Sequence, residues 1–126
     1  MARRAWLDGL KRLHDQRRLW AALAVMAALV VALGSLASGS AMPSRLPWDK
    51  LNHFIGYAGL AGLTGLAGVR LPIALLLVVG YGGIIEFAQL AIPGRSGGDW
   101  ADILANGLGG VAGVLLLAGW RRLMRD

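Results

Sequence analysis

From Leu19 to Ser44 the chain carries no charged side chain, and 19–37 alone is close to the roughly 20 residues that a helix needs to cross about 30 Å of hydrocarbon. Three further apolar stretches follow, at about 49–69, 71–92 and 99–120, and each contains polar residues that the first lacks. Breakers separate them: a Ser/Gly/Pro-rich segment at 38–47, Arg70 with Pro72, and the Pro93, Gly94 pair. Such short connections make consecutive helices antiparallel. Ahead of the first stretch, Trp6, Leu7, Leu10 and Leu13 recur at helical spacing among Arg3, Arg4, Asp8 and Lys11. That pattern predicts a short amphipathic interfacial helix within a basic juxtamembrane segment, 1–18. Residues 121–126 read as a basic C-terminal tail. The expected fold is all-α: an integral membrane four-helix bundle with the interfacial helix at its N-terminus.

Composition removes the soluble alternative. Hydrophobic residues make up 56% of the 126, 19 glycines come on top of that, and only 16% are charged, against about 25% charge in soluble domains. A chain of this length cannot hide so much apolar surface behind so few charges. With no cysteine, disulfides, thiolate metal sites and cysteine nucleophiles are excluded.

The net charge of +6 matters through its placement. Arg3, Arg4, Lys11, Arg12, Arg17 and Arg18 precede the first span, Arg70 lies in the second connection, and Arg121, Arg122 and Arg125 follow the last span. Four spans put these ten on one side and Arg45, Lys50 and Arg95 on the other, so the positive-inside rule predicts cytoplasmic termini in a multi-pass protein of the bacterial inner (cytoplasmic) membrane. Trp20 and Trp120 would then mark the inner interface, and Trp48 and Trp100 the outer one. Polybasic flanks of this kind attract anionic lipid, and no base-reading or RNA-stacking motif accompanies them. Membrane lipid, not nucleic acid, is the expected partner. A cleaved signal peptide also has basic residues, an apolar run and small residues in this order; Asp8 and Asp15 in a long leader favour a retained span.

Polar residues inside the spans fall in stripes. Asp49, His53 and Tyr57 stand at i, i+4, i+8; Asp99, Asp102 and Asn106 at i, i+3, i+7; Glu86 and Gln89 at i, i+3. All three stripes belong to the outer half of the membrane under the predicted topology. Ionisable groups in a span are costly toward lipid and therefore face one another or a wet vestibule, which predicts one shared outward site. Two readings of it stay open. Asp49, Glu86, Asp99 and Asp102 against Arg45, Lys50 and Arg95, with His53, could be an ion-pair network that holds glycine-rich helices together. They could equally hold a ligand. No HExxH or comparable spacing supports a metal site, and no cofactor is expected. Gly56, Gly59, Gly62, Gly65 and Gly68 repeat every three residues, and Gly107, Gly109, Gly110 and Gly113 follow Asn106 in the last span; small residues let backbones approach in lipid, and the three-residue repeat winds around its helix, which suits a central position.

Three strings, DKLNHFIGY (49–57), EFAQLAIPGR (86–95) and DWADILANGLGG (99–110), together resemble the VanZ-like family of small bacterial membrane proteins. That family is named after an accessory factor of glycopeptide-resistance clusters associated with low-level teicoplanin resistance. The resemblance covers roughly 45–115. It implies family positions at Asp49, Lys50, His53, Phe54, Tyr57, Glu86, Gln89, Pro93, Gly94, Arg95, Asp102, Asn106 and Gly109, and it brings no defined reaction with it.

The expected polar site thus comprises Asp49, Lys50, His53, Tyr57, Glu86, Gln89, Arg95, Asp99, Asp102 and Asn106, with catalytic residues unassigned. The first functional expectation is a non-enzymatic factor binding a cell-envelope component, such as a lipid headgroup, a lipid-linked cell-wall precursor or a glycopeptide. The second is an intramembrane enzyme on a lipid-linked substrate, with His53 as acid/base oriented by Asp102 or Glu86. The third is a proton- or ion-coupled carrier using Glu86. Missing nucleophile and metal motifs weigh against the enzyme, and four spans are few for a carrier.

Overall fold

The computed structural model describes residues 1–36, 49–92 and 100–126. Among these residues there are five helices and no strand: α1 (Ala2–His14), α2 (Arg17–Leu36), α3 (Asp49–Leu66), α4 (Leu71–Gln89) and α5 (Trp100–Arg125). The expected loop at 38–47, the Pro93, Gly94 turn, Trp48 and the site candidates Arg95 and Asp99 lie outside the described residues.

Three helices, α2, α4 and α5, are long and apolar enough to cross a membrane. Their outward faces are apolar too: Met26, Val30 and Leu33 on α2, Leu76, Ile84 and Phe87 on α4, and Leu104, Leu115 and Leu116 on α5 are all exposed. None of the residues of α2 is buried. Apolar side chains exposed over this many turns suit hydrocarbon as the solvent rather than water. The helix α3 does not belong to that set, because Asp49, Lys50, Asn52 and His53 crowd its start. It is placed instead at the centre, in contact with α2, α4 and α5 alike.

Pairings along the helices fix their directions. Lys50 meets Asp102 at one end of the α3–α5 pair, and Gly65 meets Leu117 and Arg121 at the other, so these two helices run parallel. A parallel relation also holds for α2 and α4, where Tyr81 donates to the Ala28 carbonyl and Gln89 to the Ser35 carbonyl. Helices consecutive in sequence, α2 with α3, α3 with α4 and α4 with α5, run antiparallel.

Close approach of α3 and α5 depends on two glycines one helical turn apart. A Cβ on Gly109 would overlap the carbonyl oxygen of Phe54, and one on Gly113 that of Ala58. This is the small-xxx-small arrangement by which helices in lipid gain packing. The three-residue glycine repeat of α3 is mixed: Gly59 and Gly62 have open space where a Cβ would stand, Gly56 has only Val31 within ordinary contact, and a Cβ on Gly65 would press on the side chains of Leu117 and Leu71. The central position expected for α3 is observed, while the backbone contact is supplied by α5.

Helix ends differ from expectation for local reasons. The helix α3 stops at Leu66, short of 69, because Gly68 takes φ +102 and the Val69 and Gly68 amides bond back to the Thr64 and Gly65 carbonyls, a glycine-terminated C-cap. Pro72 then stands in the first turn of α4, where a missing N–H costs nothing. At the other terminus α5 continues through Arg125, so the basic stretch after Trp120 is helical as far as 125. Basic side chains are favourable there, at the negative end of the helix dipole. The amphipathic segment is the helix α1, joined to α2 by a tight turn that the Trp20 indole pins through Nε1–H donation to the Leu13 carbonyl at 2.9 Å and the His14 carbonyl at 3.2 Å.

Candidate functional site

The start of α3 and the start of α5 lie side by side because the helices are parallel and the glycine contact fixes their register. Their polar stripes therefore meet rung by rung. At the rim, Lys50 Nζ donates to Asp102 Oδ1 at 3.0 Å. One turn deeper, His53 Nδ1 and Asn106 Oδ1 are 2.9 Å apart; with the amide oxygen facing the ring, Nδ1–H is the donor, and in the neutral ring Nε2 carries the lone pair. Deeper still, Tyr57 and Asn106 both close on Gly82 of α4, whose missing side chain leaves room for them: a Cβ there would stand 3.0 Å from the Tyr57 ring and 3.1 Å from Asn106 Nδ2.

Exposure falls along the same path. Lys50 is exposed and the Asp102 side chain retains 14% of its accessibility, His53 is intermediate, and Tyr57 and Asn106 are each 2% exposed. Glu86, on α4 and within electrostatic reach of Tyr57, is 1% exposed. The Tyr57 hydroxyl and Asn106 Nδ2 have no hydrogen-bond partner among the described residues. Buried donors of this kind are costly to leave unmet, by about 1–3 kcal/mol each. The floor of the site thus offers two donors that a ligand or water could satisfy, below a charged rim.

Not every expected residue joins this ladder. Lys50, His53, Tyr57, Asp102 and Asn106 are brought together directly, and Glu86 approaches from α4. Gln89, one turn beyond Glu86, points to α2, where its Nε2 donates to the Ser35 carbonyl at 2.8 Å. Asp49 opens α3; Arg95 and Asp99 lie outside the described residues. Among the described residues no group of three or more His, Cys, Asp or Glu side chains could hold a metal ion.

Tyr81 escaped the sequence reading. Its hydroxyl donates to the Ala28 carbonyl, and its ring is 6.4 Å from that of Tyr57, so it carries α2 into the polar layer. It lies at i−5 from Glu86 and outside the stripe of Glu86 and Gln89. The signal available was its aromatic hydroxyl in a span, which needs a partner when buried. At this level α2 takes part through its backbone carbonyls, those of Ala28 and Ser35.

No curated protein and no solved structure matches the chain. A family model described as VanZ/LLP1 matches residues 10–122, which takes in the last five residues of α1, all of α2 and nearly all of α5, well beyond the motifs at 45–115. Motifs, helices and match agree, and the chain belongs to the VanZ-like family of membrane proteins.

Proposed function

We propose that this protein is a four-span component of the bacterial inner membrane, with both termini in the cytoplasm and an outward-facing polar site that binds a cell-envelope component. The ligand is an amphiphile whose polar head enters from the outer leaflet, of the class of a lipid headgroup or a lipid-linked cell-wall precursor. The observation that carries this reading is the pair of buried donors, Tyr57 hydroxyl and Asn106 Nδ2, lying without a partner among the described residues beneath the Lys50–Asp102 ion pair. A purely structural network would satisfy its deepest members first. Support for four spans comes from α3 touching all three apolar helices and from its Lys50 end lying level with the C-terminal end of α4 and the start of α5.

Topology is tested by single cysteines. The Lys/Arg distribution puts ten on the side of the termini and three on the other, so cysteines at Ser40 and Ser96 should react with an impermeant thiol reagent on intact spheroplasts. Labelling only after lysis would reverse the orientation and close the site to the envelope.

Function is tested by loss. A deletion strain is expected to change its susceptibility to envelope-directed agents, an acylated glycopeptide such as teicoplanin among them once the outer barrier is permeabilised. Wild-type protein supplied in trans restores it. Unchanged susceptibility across such a panel would remove the envelope-binding reading.

A second reading, an enzyme acting on a lipid-linked substrate, is favoured by one observation: the His53–Asn106 contact at 2.9 Å orients the imidazole as a general acid/base requires. The orienting group is Asn106, in place of the expected Asp102, which pairs with Lys50, or Glu86.

A further inference from the structure

The opposite end of the molecule carries a second cluster that the envelope site does not use. Here the last turn of α5, the start of α2 and the C-terminus of α1 surround the end of α3. Arg121 donates through one terminal N–H to the Gly65 carbonyl at 2.9 Å and through Nε–H to His14 Nε2 at 3.2 Å. Arg17 lies across Gly68, its Cδ 3.0 Å from where a Cβ would stand. Arg17 and Arg125 are both within electrostatic reach of Arg121. The C-terminal end of α3 offers only a partial negative charge to three guanidinium groups, and Asp15, at the α1–α2 turn, is engaged with His14 at 3.3 Å.

Beside this cluster is an apolar groove. It lies open between α1 and α5, is lined by Ala2, Arg3, Trp6, Leu7, Leu10 and Trp120, and has a volume of about 430 Å³. The two features adjoin, because Trp120 precedes Arg121 and Leu10 lies one helical turn before His14. An excess of guanidinium next to an apolar slot is complementary to an anion that carries a hydrocarbon chain.

We propose that this groove and the arginine cluster form a binding site for one anionic phospholipid, its phosphate held by Arg17, Arg121 and Arg125 and an acyl chain laid between α1 and Trp120. Binding fastens α1 to the helices of the core, because the lipid touches both. The site is separate from the Lys50 end and does not depend on what binds there.

The experiment titrates the full chain in neutral maltoside micelles and follows thermal unfolding. Phosphatidylglycerol is expected to raise the midpoint saturably, while phosphatidylcholine, with the same chains, and inorganic phosphate, with no chain, leave it nearly unchanged. Arg125→Gln is expected to weaken the phosphatidylglycerol response about five-fold, as is Arg17→Gln, and the double variant roughly twenty-fold. Arg125 is exposed at the helix end, so its variant keeps the test valid even if Arg17→Gln disturbs the Gly68 turn. Arg4→Gln removes a charge from α1 outside the groove and should bind as wild type. Equal protection by inorganic phosphate or by phosphatidylcholine would overturn the proposal, as would an undiminished response in Arg125→Gln. Equal losses in Arg4→Gln and Arg125→Gln would do the same, since they would reduce the effect to net surface charge.

Discussion

Gly109→Ala and Gly113→Ala should each lose most of the stability of the protein, and the double variant should not yield a folded species in detergent. A single added methyl meets backbone, not a movable side chain: the Phe54 carbonyl in one case and the Ala58 carbonyl in the other. Relief requires α3 and α5 to separate, which breaks the Lys50–Asp102 and His53–Asn106 contacts as well. Overpacking of a core commonly costs about 1–3 kcal/mol, and loss of the polar rungs adds to it, so about 3 kcal/mol or more per site is expected. Gly59→Ala and Gly62→Ala provide the internal control, since nothing stands within 4 Å of the added atom. They should leave the unfolding midpoint unchanged or raise it, because alanine favours the helix more than glycine does. Thermal unfolding of the four variants checks this, and similar behaviour in all four would show that the α3–α5 contact does not carry the fold.

The second large effect separates binding from stapling. Asp102→Asn keeps the shape of the rim residue but removes the charge that faces Lys50, itself exposed. His53→Gln keeps a donor toward Asn106 while abolishing imidazole chemistry. If the ladder serves a ligand, both variants should unfold within a few degrees of wild type yet lose rescue of the deletion phenotype. Exposed ion pairs contribute only about 0–1 kcal/mol, and Lys50 can turn to water, so the expected stability loss is small. A staple behaves in the opposite way, because breaking a buried pair costs about 3–5 kcal/mol. Large destabilisation with rescue still proportional to the folded protein would rule out the ligand site.

How much of this was legible in the residues depends on which physical rule each feature obeys. Periodicity made the stripes visible: His53 and Tyr57 share a face, as do Asp102 and Asn106, and the parallel α3–α5 pairing turns those faces toward each other. Gly109 and Gly113 stood among the glycines after Asn106 that signal close packing, but the residue types do not say which of them meets which backbone, so the register they set was not legible. The repeat in α3 is regular in sequence, yet a Cβ on Gly59 or Gly62 would meet nothing within 4 Å. Gln89 shared a stripe with Glu86, but one turn is enough to carry it past the α3–α5 pair to the Ser35 carbonyl. Tyr81 was hidden because its partner is a backbone carbonyl of α2, and backbone acceptors leave no mark in the residue types. The arginines after Trp120 looked like a tail by charge alone, whereas Arg121 is tied to Gly65 and extends α5.

The parallel pairing of α3 with α5 also orders the birth of the protein. During synthesis α3 is made before α4, and its partner is made only after α4. Until then the helix with the weakest claim on hydrocarbon has neither the glycine seam that holds it nor the Asp102 and Asn106 groups that meet its Lys50 and His53. A nascent chain that has produced three helices therefore has a polar helix awaiting a partner, open to chaperones and to quality-control proteases. The ladder comes into existence only with the last helix, so a shortened product of this gene that lacks α5 keeps Lys50, His53 and Tyr57 but not the Asp102 and Asn106 that meet them.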